Sequence, residues 1–262
     1  MASLKQTIAA HAAPGEAVDA RAAARLRPGA PSAQGGPAVR GASPGERGGI
    51  AAAAVGLAGV EVPPVIGVLA VQGAFIEHER MLERLGARCK ELRSASDIAG
   101  IDGIVLPGGE STVQAKLVRE LGMEAPLREA IASGTPVLAT CAGMVLLARE
   151  VAQGGGSGSA SHCDGYGLGI VPMKVVRNAY GRQLGSFRTV SRLEGAGDVP
   201  MTFIRAPFVE AVGEGVDVLA RVQGRIVAVR AGAVLALSFH PELDESPAVH
   251  AMFLDMVRRR AS

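Results

Sequence analysis

One cysteine lies where a predicted strand gives way to a predicted helix. The run from Pro136 to Thr140 is mostly apolar, small residues surround Cys141, and Val145 to Glu150 continues with helical spacing. A cysteine on such a tight junction lies against the unpaired N–H groups and positive dipole of a helix N-terminus, and both favour the thiolate. We therefore predict that Cys141 is a nucleophile. A buried structural cysteine is the alternative interpretation.

A histidine and a glutamate follow a second apolar run. Val234 to Phe239 predicts a buried strand, and His240-Pro241-Glu242 comes directly after it. Residues two apart on an extended chain project to the same side, so the imidazole and the carboxylate would point together. With Cys141 they would form a triad in which His240 moves the proton and Glu242 fixes its tautomer. A turn that carries a surface salt bridge is the alternative.

A glycine-rich loop, Gly108-Gly109-Glu110-Ser111, follows another predicted strand. Such a loop could cradle a phosphate, but the chain has neither a GxGxxG motif nor the Lys-Ser/Thr pair of a P-loop. The other interpretation is an oxyanion hole, formed by backbone N–H groups of this loop and of the Cys141–Ala142 junction.

The elements that must position these residues alternate between strand and helix. Predicted strands and helices succeed one another from Val65 to Glu150, which indicates a parallel, doubly wound sheet. Ligands bind beyond the carboxyl ends of such strands, so the loops at 72–73, 108–111 and 140–142 should share one crevice. A series of short predicted strands then indicates an antiparallel region, including one strand from Met201 to Glu210, and a helix closes the chain.

Composition excludes several classes of protein. The chain of 262 residues has 48% hydrophobic and 20% charged residues, 35 glycines and a net charge of +2. Since no basic stripe appears, nucleic acid is not an expected partner. The longest apolar run, at 50–60, is too short to span a membrane. Three cysteines without a CxxC pair indicate a reducing, cytoplasmic setting.

Two segments stand apart from this pattern. Residues 1–63 are rich in Ala, Gly and Pro, and we predict a disordered N-terminal extension before a single domain at 64–262. The Gly/Ser-rich segment 154–163 predicts a flexible surface insertion. His162 and Cys163 lie at its end, but without a second Cys/His pair they predict no metal site. His78 and His250 are predicted on solvated helix faces.

Six segments in this order resemble the glutaminase subunit of pyridoxal 5'-phosphate synthase, a class I glutamine amidotransferase. The resemblance covers about Val65 to Val257 and departs from the superfamily at Ala139, where glycine is usual. The segments are Leu69-Ala70-Val71-Gln72-Gly73-Ala74, Leu106-Pro107-Gly108-Gly109-Glu110-Ser111-Thr112, Thr140-Cys141-Ala142-Gly143-Met144, Arg177-Asn178-Ala179-Tyr180-Gly181-Arg182-Gln183, Phe203-Ile204-Arg205-Ala206-Pro207 and Ser238-Phe239-His240-Pro241-Glu242.

The resemblance implies a flavodoxin-like, three-layer α/β fold with a mostly parallel central sheet and an added antiparallel region. It implies hydrolysis of L-glutamine by Cys141, His240 and Glu242, with no cofactor and no metal. Backbone N–H groups of Gly109 and Ala142 would form the oxyanion hole, and Gln72 would help to order it when a partner docks. The residues implied in glutamine binding are Gly109, Glu110, Ser111, Arg177, Ile204 and Arg205.

The implied partner is a synthase subunit in a hetero-oligomer that uses the ammonia to build pyridoxal 5'-phosphate. Two other functions stay open on the residues alone. One is the glutaminase subunit of another pathway, such as histidine or purine synthesis, with the same triad. The other is a non-catalytic binding module of the same fold, against which the presence of Cys141, His240 and Glu242 argues.

Overall fold

The computed structural model of the chain describes residues 62–153, 167–177 and 186–261. Several predictions therefore lie outside the described residues: nearly all of the N-terminal extension at 1–63, the insertion at 154–163 with His162 and Cys163, and the part of one motif from Asn178 to Gln183. No helix in the described part is long and apolar enough to cross a membrane.

The described chain alternates between strands and helices in its first half and is mainly strands in its second half. The helices are α1 (Phe75–Arg84), α2 (Ser111–Glu120), α3 (Glu124–Ala132), α4 (Ala142–Leu147) and α5 (Ala248–Ala261). The strands are β1 (Val65–Leu69), β2 (Arg88–Leu92), β3 (Gly103–Leu106), β4 (Val137–Thr140), β5 (Ala148–Gln153), β6 (Val171–Arg177), β7 (Ser186–Leu193), β8 (Gly197–Ile204), β9 (Phe208–Val212), β10 (Val216–Val222), β11 (Arg225–Ala231) and β12 (Val234–Leu237).

The central sheet has the order β2-β1-β3-β4-β12-β11-β9-β6-β5, and β10 pairs with β11 beside this path. The strands from β2 to β12 in this order run parallel to their neighbours. Antiparallel pairing begins at β11, and β5 adds a parallel edge beside β6. β7 and β8 form a separate antiparallel hairpin. The predicted α/β class, with a mostly parallel sheet and an antiparallel region, is confirmed.

The sheet divides the apolar interior into two cores. Alternate side chains of a strand point to opposite faces, and Leu106 and Val105 on β3 accordingly enter different cores. α2, α3 and α4 cover one face, where Val118, Leu127 and Met144 are buried. α1 and α5 contribute to the other core together with the β7–β8 hairpin; its largest buried side chains include Phe203, Phe239 and Phe253. These are the three layers that the resemblance implied.

The predicted helix after Cys141 is wrong in its second half. α4 ends at Leu147, and the predicted helical residues from Ala148 to Glu150 belong to β5. The reason is pairing with a later segment of the chain: the N–H groups of Leu168 and Ile170 donate to the carbonyls of Leu146 and Leu147, at 2.6 and 2.9 Å, and so take acceptors that further helical turns would use.

The single strand predicted from Met201 to Glu210 is also wrong, because the structure has two strands there. β8 ends at Ile204, Arg205 has a left-handed backbone with φ 45°, and β9 begins at Phe208. Pro207 lacks a backbone N–H to extend the ladder, so the chain turns at this point. The turn places Ile204 and Arg205 at the end of a hairpin instead of inside a sheet.

Close contact between α4 and the sheet depends on Gly143. A Cβ at this position would overlap the Leu106 carbonyl oxygen of β3, and all six residues of α4 are buried. Glycine within a helix costs about 0.5–1 kcal/mol relative to alanine. Its presence here is explained by the space that α4 needs beside β3.

We expect Gly143→Ala to lower the free energy of unfolding by about 1–3 kcal/mol, the usual cost of overpacking a core. Helix propensity alone would raise it by up to about 1 kcal/mol, so the two effects have opposite signs. Chemical denaturation of the two proteins measures the difference. A more stable variant would show that α4 moves away from β3 without cost.

Candidate active site

The pairing of β4 with β12 brings the predicted nucleophile next to the predicted base. The two strands are parallel, with Thr140 opposite Leu237, and the Cys141 N–H donates to the Leu237 carbonyl at 2.8 Å. Cys141 is the N-cap of α4 and has φ 45° and ψ −98°, a conformation that non-glycine residues rarely adopt. Such backbone strain is typical of residues whose side chain is held in place for function.

His240 contacts both other members of the predicted triad. Its Nδ1 lies 2.7 Å from Glu242 Oε1, and Cys141 is close enough to raise its pKa. The strand ends at Leu237, however, and Pro241–Leu243 forms a 3-10 turn. The imidazole and the carboxylate therefore meet because the chain turns tightly, and the reason given by the sequence pattern, an extended chain, is wrong.

The charged forms of His240 and Glu242 stabilise each other. Burial alone would lower the pKa of His240, but its hydrogen bonds to Cys141 and Glu242 and their negative charges raise it to about 10. Burial would likewise raise the pKa of Glu242, yet the neighbouring His78 and the hydrogen bond with His240 keep it below its usual value. At neutral pH the pair is therefore an imidazolium beside a carboxylate.

A cavity of about 180 Å³ opens over Cys141. The structure brings most of the predicted site residues to its wall, and Val145 and Pro207 join them without having been predicted. From the prediction, the wall contains Gly109, Glu110, Ser111, Cys141, Ala142, Arg177, Ile204 and Arg205. The structure does not bring Gln72, His240 or Glu242 to this wall. They act on the cavity through residues that line it.

The Glu110 carboxylate already has partners within the protein. Its carboxylate caps α2 by accepting from the N–H groups of Thr112 and Val113, at 3.2 and 2.8 Å. Arg177 Nη2 lies 3.3 Å from the same carboxylate and 3.1 Å from Thr112 Oγ1. Burial tends to raise the pKa of Glu110, but these hydrogen bonds and Arg177 lower it. The Glu110 carboxylate and the Arg177 guanidinium therefore lie together at the wall of the cavity.

Gln72 connects the first loop to the glycine-rich loop. Its Oε1 accepts from the Glu110 N–H at 2.8 Å, and its backbone carbonyl accepts from Gln114 Nε2 at 2.9 Å. Gln114 is buried and also donates to the Pro107 carbonyl at 3.2 Å. The loops at 72–73 and 108–111 are therefore held together by polar contacts, as their shared position beyond the strands predicts.

The Gly108–Gly109 peptide has little space on either side. The Gly108 carbonyl accepts from the Ala74 N–H at 3.0 Å, and since a trans peptide directs N–H and C=O oppositely, the Gly109 N–H points away from Ala74. A Cβ at Gly108 would lie 2.7 Å from His240 Nδ1. Only glycine lets this loop pack against the imidazole.

The prediction that His78 and His250 lie on solvated faces is wrong, because both side chains are fully buried. Sequence spacing contained the signal: His78 lies three and four residues before the buried Met81 and Leu82, and His250 stands in the same relation to Phe253 and Leu254. Both histidines therefore belong to apolar helix faces. No group of three or more His, Cys, Asp or Glu side chains among the described residues could hold a metal ion.

Comparison with known proteins gives a consistent result. The pyridoxal 5'-phosphate synthase subunit PdxT of Desulfitobacterium hafniense is 55% identical over 193 residues, which are 73% of this chain and 92% of that protein. PdxT of Methanocorpusculum labreanum is 54% identical over 193 residues, covering 73% of this chain and 97% of the relative. A crystal structure of a glutamine amidotransferase is 43% identical, with a TM-score of 0.68, and covers 74% of this chain and 98% of that chain.

The family assignment rests on most of the chain. Residues 68–259 match the SNO glutamine amidotransferase family, and this range runs from β1 to α5 and includes Cys141, His240 and Glu242. The chain therefore belongs to the SNO glutamine amidotransferase family.

Proposed function

We propose that this chain hydrolyses L-glutamine to glutamate and ammonia, with Cys141, His240 and Glu242 as its catalytic triad. The observation that carries the proposal is that Cys141, at the wall of a cavity, interacts with His240, whose Nδ1 lies 2.7 Å from Glu242 Oε1. The contact of a cysteine with an imidazole that is itself oriented by a carboxylate is the arrangement that activates a nucleophile. It argues against the non-catalytic binding module.

The reaction follows from the charges of these groups. The Cys141 thiolate attacks the carbon of the side-chain amide, and the C–N electron pair leaves with the nitrogen, which takes a proton from the His240 imidazolium. Ammonia departs and a glutamyl thioester remains. Neutral His240 then removes a proton from a water molecule that attacks the thioester, and the thiolate and glutamate are released.

The negative oxygen of the tetrahedral intermediate needs donors that are already in place. Ala142 is the first residue of α4, where helical hydrogen bonding leaves the backbone N–H groups without a partner. Gly109 faces the same cavity, and its N–H points away from the Ala74 contact. We assign the oxyanion hole to these two N–H groups, which support the charge only as it develops.

The walls of the cavity suit the two ends of the amino acid. Arg177 and Arg205 can pair with the α-carboxylate, and Glu110 offers an acceptor for the ammonium group. Ile204 supplies an apolar surface for the methylene groups, and Ser111 adds a hydroxyl to the cavity wall. Because Glu110 and Arg177 already contact each other, glutamine binding inserts a zwitterion between opposite charges that are nearly in place.

The ammonia goes, in this proposal, to a separate synthase subunit that builds pyridoxal 5'-phosphate. The similar proteins of D. hafniense and M. labreanum are both named as subunits of that synthase, and this chain covers at least 92% of each. This favours the vitamin B6 pathway over the histidine and purine pathways. Docking of the synthase would act on the oxyanion hole through Gln72, whose side chain binds the Glu110 N–H.

Two further expectations belong to the same proposal. The glutaminase domain occupies residues 64–262, and the segment 1–63 is an N-terminal extension outside it. The protein works in the cytoplasm, where a reducing environment keeps the nucleophilic cysteine as a thiol or thiolate. Cys89 and Cys141 are both free, which suits this setting.

Replacing the nucleophile should stop hydrolysis without unfolding the protein. For Cys141→Ala we expect ammonia release from glutamine to fall by more than about 10⁴-fold, as in other triads without their nucleophile. Cys89→Ala is the matched control: Cys89 lies on β2, half-buried, and burial raises its pKa to about 12, so its loss should leave the rate unchanged. Ammonia release by Cys141→Ala at the normal rate would disprove the mechanism.

The protonation of His240 can be followed directly. Since its pKa is raised to about 10, nitrogen NMR of histidine-labelled protein should show one imidazole that stays protonated above neutral pH and titrates near that value. The signal should be missing in His240→Gln. Glu242→Gln removes the carboxylate, so the same imidazole should titrate at lower pH. An unchanged titration in Glu242→Gln would show that the carboxylate does not stabilise the imidazolium.

Addition of the purified synthase subunit should accelerate hydrolysis. We expect a higher kcat for ammonia release with the subunit than without it, because docking orders the donors around Gly109. Gln72→Ala should reduce this acceleration more than it reduces the rate of the isolated chain. Equal rates with and without the synthase subunit would contradict activation by the partner.

A further inference from the structure

Two buried histidines lie behind the proposed triad, outside the cavity. His78 comes from α1 and His250 from α5, and neither side chain is exposed to solvent. The rings are tilted with their centroids 5.1 Å apart, and His78 Nδ1 lies 2.9 Å from His250 Nε2. Polar side chains that are fully buried in an apolar layer cost free energy unless they are hydrogen-bonded.

The other nitrogen of His78 faces the triad. His78 Nε2 lies 3.2 Å from Thr140 Oγ1 and 3.3 Å from Glu242 Oε2. Thr140 precedes the nucleophile on β4, whereas Glu242 follows the base after β12. One imidazole therefore contacts the two chain segments that supply the triad.

Glu242 needs such a contact because its carboxylate is buried. Its Oε1 is occupied by His240, and among the described residues its Oε2 accepts no hydrogen bond of good geometry. His78 Nε2 is the polar atom that faces Oε2, so the interaction between them is a close electrostatic one. It resists rotation of the carboxylate away from His240.

Burial limits which ring nitrogens of His78 and His250 carry a proton. Burial lowers the pKa of His78, against the opposing effect of Glu242, and lowers that of His250 well below its usual value, which favours the neutral form of each ring. Each neutral ring has one N–H. The groups whose charges act on His78 are Glu242 and His240 beyond β12 and Glu77 on its own helix, and His250 on α5 contacts it directly.

Only one arrangement of these protons avoids both a lone pair that faces the Glu242 carboxylate and a buried N–H without an acceptor. If Nε2 of His78 carries the proton, an N–H faces Thr140 and the Glu242 carboxylate, and Nδ1 accepts from the Nε2–H of His250. His250 Nδ1, which has no partner among the described residues, is then a lone pair. In the opposite arrangement a lone pair of His78 would face the carboxylate, and a buried N–H of His250 would have no acceptor, which is more costly.

We propose that His78 is a positioning residue for Glu242, with its Nε2–H directed at Thr140 and the Glu242 carboxylate and its tautomer held by His250. The inference rests on the proposed function of the Cys141, His240 and Glu242 triad. His78 holds Oε2 of Glu242 in place while Oε1 orients His240. It extends the line of groups behind the nucleophile to the two helices that cover this face of the sheet.

The test compares two substitutions of His78 in the full chain. His78→Gln keeps an N–H donor near the position of Nε2, and His78→Leu removes it. We expect His78→Leu to lower kcat for ammonia release by about 10- to 100-fold, the usual loss when the residue that orients a functional side chain is removed. KM for glutamine should stay unchanged, since His78 does not line the cavity. His78→Gln should retain most of kcat.

A second measurement reports on positioning without turnover. In His78→Leu the His240 imidazole should titrate at lower pH than in the wild type, because Glu242 no longer stays in place. His78→Gln should titrate like the wild type. Leu82→Ala, a buried apolar change on the same helix, is the matched control for loosened packing and should lower thermal stability while kcat and the titration stay unchanged.

Any of three results would overturn the proposal. The first is that His78→Leu keeps both kcat and the His240 titration. The second is that His78→Gln loses as much kcat as His78→Leu while its titration stays unchanged, and the third is that Leu82→Ala reproduces the effects of His78→Leu. If His78→Leu does not fold, His250→Leu replaces it: without its donor, His78 can change tautomer, so kcat and the titration should fall in the same direction. Unchanged values in His250→Leu would then overturn the proposal.

Failure of the proposed function would look different. In that case the wild type would release no ammonia from glutamine, or Cys141→Ala would release it at the normal rate. The His240 titration would still show whether His78 positions Glu242, since it requires no substrate.

Discussion

The backbone hydrogen bond from Cys141 to the Leu237 carbonyl is the contact on which the site depends. It continues the pairing of β4 with β12 by one residue beyond the strand and holds Cys141 in its unusual backbone conformation. Because neighbouring parallel strands end at the same edge, the same pairing brings the turn with His240 beside the thiol. The proposed nucleophile and its base are thus aligned by main-chain atoms, and the side chains only complete the arrangement.

Much of this arrangement could be predicted from the sequence, for physical reasons that can be named. Apolar runs such as Val137 to Ala139 give buried parallel strands, and the loops that follow such strands must share one edge. The end of α4 at Leu147 was not predictable, because it depends on the N–H groups of Leu168 and Ile170, which are distant in sequence. Local periodicity contains no information about such competition for acceptors.

The burial of His78 and His250 was missed for the opposite reason, since the local signal was present. Both residues follow the spacing of the apolar helix face, but a polar side chain on such a face is easily assigned to solvent. The structure shows that the contacts of His78 extend to Glu242, which lies far away in the sequence. The burial of His78 can be expected only if Glu242 is known to be buried beside it. That contact is known from the fold and not from the sequence.

The contact between Gly108 and the His240 ring has a consequence for the timing of catalysis. The glycine-rich loop forms the wall against which the imidazole rests, and it also contains Gly109, to which we assign an oxyanion donor. A movement of this loop therefore changes the donor and the space around the base in a single event. In the proposed mechanism, an incorrect loop position would disable the oxyanion donor and the base together, so the enzyme would not waste glutamine while idle.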